Sequence, residues 1–123
     1  MSFPTIQMKL SNMDSSEDFE ALLDQKLTPL DKFIPEDETD VKCEVELERM
    51  TDHQSGKIFR AEGNLYVAGI LYRAEATEEQ MEKAIDVMRD ELKRELRRAS
   101  SKQATLNKQG DQEAKEMMQN GGA

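Results

Sequence analysis

The chain has 123 residues, a net charge of −9, 35% charged and 5% aromatic residues, and no Trp. That length suits one domain burying roughly two-thirds of its unfolded surface around a modest core of Leu, Ile, Val, Met and a few Phe. No apolar run approaches the ~20 residues a bilayer span requires, MSFPTIQMKL lacks the pattern of a secretory leader, and a single cysteine excludes an internal disulfide, so a cytosolic protein is expected.

Residues 5–10, TIQMKL, alternate so that Ile6, Met8 and Leu10 share one side, which predicts a first strand. SNMDSSED follows, and Ser15 with Asp18 three residues on predicts the cap of a helix. Phe19, Leu22, Leu23, Leu27, Leu30 and Ile34 recur at spacings of three and four as one apolar stripe. Pro29 lacks an N–H and clashes one turn back, which predicts a kink near Lys26 or a break with Thr28 capping a short second piece.

After the acidic connection PEDETD, Val41, Cys43, Val45 and Leu47 alternate with Lys42, Glu44, Glu46 and Glu48, as on a half-buried second strand. Cys43 reads there as a small buried hydrophobe. TDHQSG is turn-like, and its His53, with no second His and no metal spacing around it, reads as a loop residue. KIFRAEGNLYV resumes the alternation, with Gly63 marking a bulge or a close approach of another element. Ala68-Gly69 then precede a fourth strand, ILYRAEA, and strands two to four are expected to form an antiparallel meander.

Thr77 and Gln80 have the spacing of a capping box, and Met81, Ala84, Ile85, Met88, Leu92, Leu96 and Ala99 continue as an apolar stripe. The opposite face carries Arg94, Arg97, Arg98 and Lys102, which come round at three- and four-residue intervals and so project together. The rest is polar and ends in glycines, which divides the chain into a domain over 1–102 and a flexible polar tail over 103–123. The order βαβββα implies an α+β fold: a four-stranded sheet with two helices packed on one face.

Charge is unevenly placed. Between Arg89 and Lys108 there are seven basic and three acidic residues, which leaves −13 on the rest of the chain. Such asymmetry fits one basic contact surface on an acidic body, and equally a helix face that is merely solvated. Nucleophile elbow, Gly-rich phosphate loop, calcium loop and zinc spacing are all missing from the sequence, so neither enzymatic activity nor a cofactor or metal is expected.

The stretch LYRAEATEEQMEKAIDVMRDELKRELRRASSK resembles the ribosome hibernation promoting factor and ribosome-associated inhibitor family, also known as sigma modulation proteins. Arg73, Ala74 and Glu75 match the family's strand end, and Ala84, Ile85 and Asp86 its alanine-isoleucine-aspartate triplet. Leu92, Arg94, Leu96, Arg97, Arg98 and Lys102 match the basic helix, while Lys26-Leu27 and Leu30-Asp31-Lys32-Phe33 resemble two steps of the first helix. The resemblance covers about residues 5–102 and points to a short form without the family's extra C-terminal domain. It implies a translation inhibitor that binds the small ribosomal subunit in the channel for messenger and transfer RNA during stress or stationary phase.

On that view Arg94, Arg97, Arg98 and Lys102, with Lys93, Lys26 and Lys32 beside them, contact ribosomal RNA phosphates, and the protein acts as a monomer in the cytoplasm with no membrane or small-molecule substrate. Phosphate contacts position a protein without reading sequence. The alternative is a small acidic adaptor or chaperone-like module that uses the same fold to bind a protein. Charge placement discriminates: an exposed basic ridge favours RNA, whereas ion pairs to Asp90, Glu91 and Glu95 that consume it favour the adaptor.

Overall fold

A computed structural model describes residues 3–13, 17–50 and 56–120, and of 17 and 101–120 the backbone only. In chain order the elements are strand β1 (Ile6–Ser11), helix α1 (Glu17–Leu27), a 3-10 helix (Thr28–Phe33), strands β2 (Val41–Arg49), β3 (Phe59–Val67) and β4 (Ile70–Glu78), and helix α2 (Met81–Asn120). The expected βαβββα order and α+β class are both present. By its backbone α2 runs on through the stretch read as a polar tail. The expected Ser15 cap and His53 lie outside the described residues. Among the described residues no helix is long and apolar enough to cross a membrane.

The sheet order is β1-β2-β3-β4. β2, β3 and β4 form the expected antiparallel meander, while β1 joins the edge parallel to β2, with Ile6 opposite Cys43. Parallel neighbours need a long crossover, and α1 with the 3-10 helix supplies it. Alternation then decides which face is dry. Cys43, Val45 and Leu47 of β2, Ala61, Leu65 and Val67 of β3, and Ala74 and Ala76 of β4 are buried, in one core with Leu23, Leu27 and Leu30 and with Ile85, Met88, Leu92 and Leu96 of α2. Both helices therefore cover the same face, and the other is left to water.

Three local features differ from, or choose between, the sequence expectations. Proline ends α1, but Leu27 rather than Thr28 is the cap residue of the 3-10 helix, and no side-chain bond caps it. Pro29 stands in the first positions, where its missing N–H costs nothing. The capping box at Thr77 does not form: Thr77 and Glu78 still pair with Arg60 and Phe59 of β3, so α2 begins only at Met81, with Ala84 donating its N–H to the Gln80 carbonyl at 3.1 Å. Gly63 is no bulge, since Val45, Gly63 and Ala74 stand in unbroken register. It is a close approach: a Cβ there would lie 2.6 Å from Met88 Sδ and 3.0 Å from Leu92 Cδ1. Gly63, with Ala61, Ala74 and Ala76, thus makes a low floor that lets α2 settle on β3 and β4.

Ala68 and Gly69 form a two-residue hairpin turn with φ of 52° and 81°. Two positive φ values are the signature of the turn whose twist matches the flanking strands. Glycine accepts that geometry freely, whereas Ala68 is held in it by donating its N–H to the Asp40 carbonyl at 2.8 Å.

Candidate nucleic-acid interface

Because the apolar stripe of α2 is committed to the sheet, its opposite side is fixed toward solvent. Arg94, Arg97 and Arg98 are all exposed there, and Lys93 is half-buried beside them. Lys93, Arg94, Arg97 and Asp90 border one shallow depression along the helix. Among the described residues Lys93, Arg94 and Arg97 enter no ion pair, whereas Arg98 Nη1 lies 3.4 Å from Glu95 Oε1. An exposed pair of that kind contributes little and exchanges readily. Asp90 is engaged by Arg89 Nε at 2.9 Å. Among the described residues the ridge is therefore largely free of ion pairs. Lys102 lies on α2 by its backbone, with its side chain outside the described residues.

The two lysines of the first helical segment meet α2 across a groove of about 270 Å³. Lys26, Lys32 and Phe33 line one side, with Arg89, Asp90 and Lys93 on the other. Lys26 is the most constrained of them. Its Nζ lies 2.8 Å from Asp86 Oδ1 and its side chain is only 21% exposed, so it pins α1 to α2. Asp86 Oδ1 is buried without a hydrogen bond of good geometry and is held by charge, from Lys26 and from Arg89 Nη2 at 3.8 Å. Lys32 is exposed, with its ammonium 5.3 Å from the centre of the Phe33 ring, within the range of a cation–π contact. The structure thus brings Lys26, Lys32 and Lys93 together in the groove and sets Arg94, Arg97 and Arg98 along the adjoining ridge. Arg89 was missed as a member of this surface, although its place four residues before Lys93 on the same helix was a readable signal.

The open face of the sheet carries the opposite sign. In register, Glu46, Glu62 and Glu75 stand directly across three strands, a row that would repel itself. Arg60, one row away, resolves it. Its Nε and Nη2 donate to Glu75 at 3.0 and 3.1 Å, Nη2 also donates to Glu62, and Nη1 lies 3.6 and 3.5 Å from Glu46 and Glu48. Hydrogen bonds from Asn64, Arg60 and Arg73 hold the Glu62 carboxyl below the ordinary glutamate range, and the bond from Arg60 does the same for Glu75. Among the described residues no group of carboxylates, Cys and His is disposed to hold a metal. The sequence concealed this hub, because it depends on cross-strand register.

Arg60→Ala is expected to cost about 1–2 kcal/mol at neutral pH, a charged hydrogen-bond cluster discounted for partial exposure. The folded pKa of Glu62 and Glu75 lies below the unfolded value, so their contribution is complete above pH ~4.3 and is lost as pH falls through the lower folded values. The deficit of the variant is therefore largest at neutral pH and narrows below pH ~4. Urea melts of both proteins across that range check this, and a pH-independent difference would contradict the charge argument. By contrast, burial pushes the Cys43 thiol up to about 12, which makes it an inert core group.

The model of the family described as "Sigma 54 modulation protein / S30EA ribosomal protein" matches residues 6–104. Among solved structures, the N-terminal domain of Thermus thermophilus Protein Y superposes with a TM-score of 0.64 at 23% identity, covering 77% of this chain and 98% of that one. A ribosomal subunit interface protein from Coxiella burnetii gives a TM-score of 0.60 at 18% identity, covering 78% and 97% of the two chains. No curated protein matches the sequence.

Proposed function

The chain belongs to the sigma 54 modulation protein / S30EA ribosomal protein family, and from that premise we propose that it is a ribosome hibernation factor, binding the small ribosomal subunit and inhibiting translation by occupying the channel for messenger and transfer RNA. It acts as a monomer in the cytoplasm during stress or stationary phase, through residues 1–102, with 103–123 as an extension outside the contact. Occupancy and not catalysis is the mechanism. Arg94, Arg97, Arg98, Lys102 and Lys93 lie on ribosomal RNA phosphates, with Lys26 and Lys32 at the edge of the same surface. One observation carries the reading: Arg94 and Arg97, exposed and without an ion pair among the described residues, adjoin a groove edged by four further cations, Lys26, Lys32, Arg89 and Lys93. Most acidic residues of the sheet are turned to the other face and tied up by Arg60 and Arg73, so the net charge of −9 does not describe the field at the ridge.

The test is co-sedimentation of the protein with small subunits over a range of salt. About five phosphate contacts give a log–log slope of about −3.5 to −4.5, a loss of roughly 100- to 500-fold in affinity between about 50 and about 200 mM salt. Binding that ignores salt, or no binding at any salt, would overturn the reading and leave the adaptor function in its place.

A further inference from the structure

We infer that the groove between the 3-10 helix and α2 receives a single unpaired RNA base, stacked on Phe33, while the cations around it take the flanking phosphates. The inference rests on the ribosome-binding reading and adds to it a contact that is not electrostatic. The groove has about 270 Å³ and Phe33 forms part of its wall, so the proposed occupant is a flat ring laid against that wall. Of the four cations that line it, Lys26 is held by Asp86 and Arg89 by Asp86 and Asp90, which leaves Lys32 and Lys93 without an ion pair among the described residues. A polyanion is therefore the chemistry it favours.

Phe33 decides between a plain phosphate site and a nucleotide site. It is half-buried, so its position is set by the core, and it nevertheless lines the groove. What lies over its ring is the exposed Lys32, 5.3 Å away at Nζ. A flexible side chain is an easily displaced cover. A base sliding onto the ring moves the Lys32 ammonium outward to a phosphate, exchanging a cation–π contact for a stacking contact and an ion pair. Lys26, held 2.8 Å from Asp86, keeps that wall of the groove rigid. Stacking accepts any base, because every base presents a π face, so the site selects an unpaired nucleotide and not a sequence.

The chain contains no Trp, so Phe33→Trp creates a single fluorescent reporter in the groove. Its emission is expected to be quenched by small subunits and, at low salt, by a short oligoadenylate, while inorganic phosphate leaves it unchanged. Phe33→Leu, which keeps an apolar side chain against the core, is expected to weaken subunit binding about tenfold at every salt concentration with an unaltered salt slope. Lys93→Ala is expected instead to reduce the slope by about one. If the Trp variant co-sediments with subunits but its emission does not change, the stacking site is wrong and the ribosome reading survives. Loss of subunit binding by the unsubstituted protein, with quenching by oligoadenylate retained, would keep the groove as an RNA site and remove the ribosome. Quenching by neither, or equal quenching by phosphate alone, overturns the inference. Circular dichroism of both Phe33 variants verifies the fold, and either variant alone suffices to decide.

Discussion

On the proposed reading, replacing both Arg94 and Arg97 by Glu is expected to lower affinity for small subunits at fixed low salt by at least about 100-fold, a change of roughly 2.7 kcal/mol. Each replacement removes a phosphate partner and adds a repulsion, and neither position has an internal ion pair to compensate among the described residues. The milder Arg94→Ala/Arg97→Ala pair lowers the log–log salt slope by about two, one for each phosphate lost. Stability should stay within about 0.5 kcal/mol, since both side chains are exposed and stand opposite the buried stripe. Arg98→Glu alone should do less, because it reverses one charge of the ridge and not two. Equilibrium co-sedimentation with a parallel thermal melt separates the two effects. Unchanged binding by the double reversal, in a folded protein, would remove the ridge from the contact.

The second large effect lies in the core. Gly63→Val should be severely destabilised and Gly63→Ala destabilised by about 1–3 kcal/mol, through overpacking against Met88 and Leu92. Backbone conformation does not require glycine here, because Gly63 is not among the positive-φ residues, and by chain entropy alone alanine would stabilise by about 0.4–1 kcal/mol. Sterics win because both neighbours are fully buried and have no free side to move toward. Met88→Ala leaves a cavity and costs about 2–5 kcal/mol by itself. Combined with Gly63→Ala it should cost less than the two changes added, by about 1 kcal/mol or more, since the new methyl occupies part of the space the sulfur vacates. Urea midpoints of the four proteins complete the cycle. A Gly63→Ala variant more stable than the parent would show that α2 can lift from the sheet without cost.

Both effects depend on features the sequence exposed unequally. The spacing of Met81 to Leu96 determined which side of α2 is buried, and so the exposure of Arg94 and Arg97 could be read before any coordinate. The strict alternation of VKCEVELER likewise marked β2 and its dry face. Gly63 announced that something comes close but not what, because Met88 is far along the chain. Lys26 and Asp86 were legible only as parts of separate motifs, and their ion pair closes a gap of sixty residues that no local pattern reports. Thr77 misled for a related reason. A capping box is a local signal, and strand pairing with Arg60, decided by distant register, overrode it. Arg60 shows the same dependence, its four carboxylates arriving from three strands.

The one cysteine gives the fold a clock. Cys43 is fully buried and stands opposite Ile6 on the edge strand β1, which has a single strand neighbour and a long crossover behind it. With its thiol held protonated, the closed state does not react, so every alkylation event times an opening. If that opening is the peeling of β1, the labelling rate changes little with denaturant; if it is unfolding of the whole domain, the rate climbs with the full surface-exposure slope. A residue with no part in binding thereby records how long the first strand stays in its place.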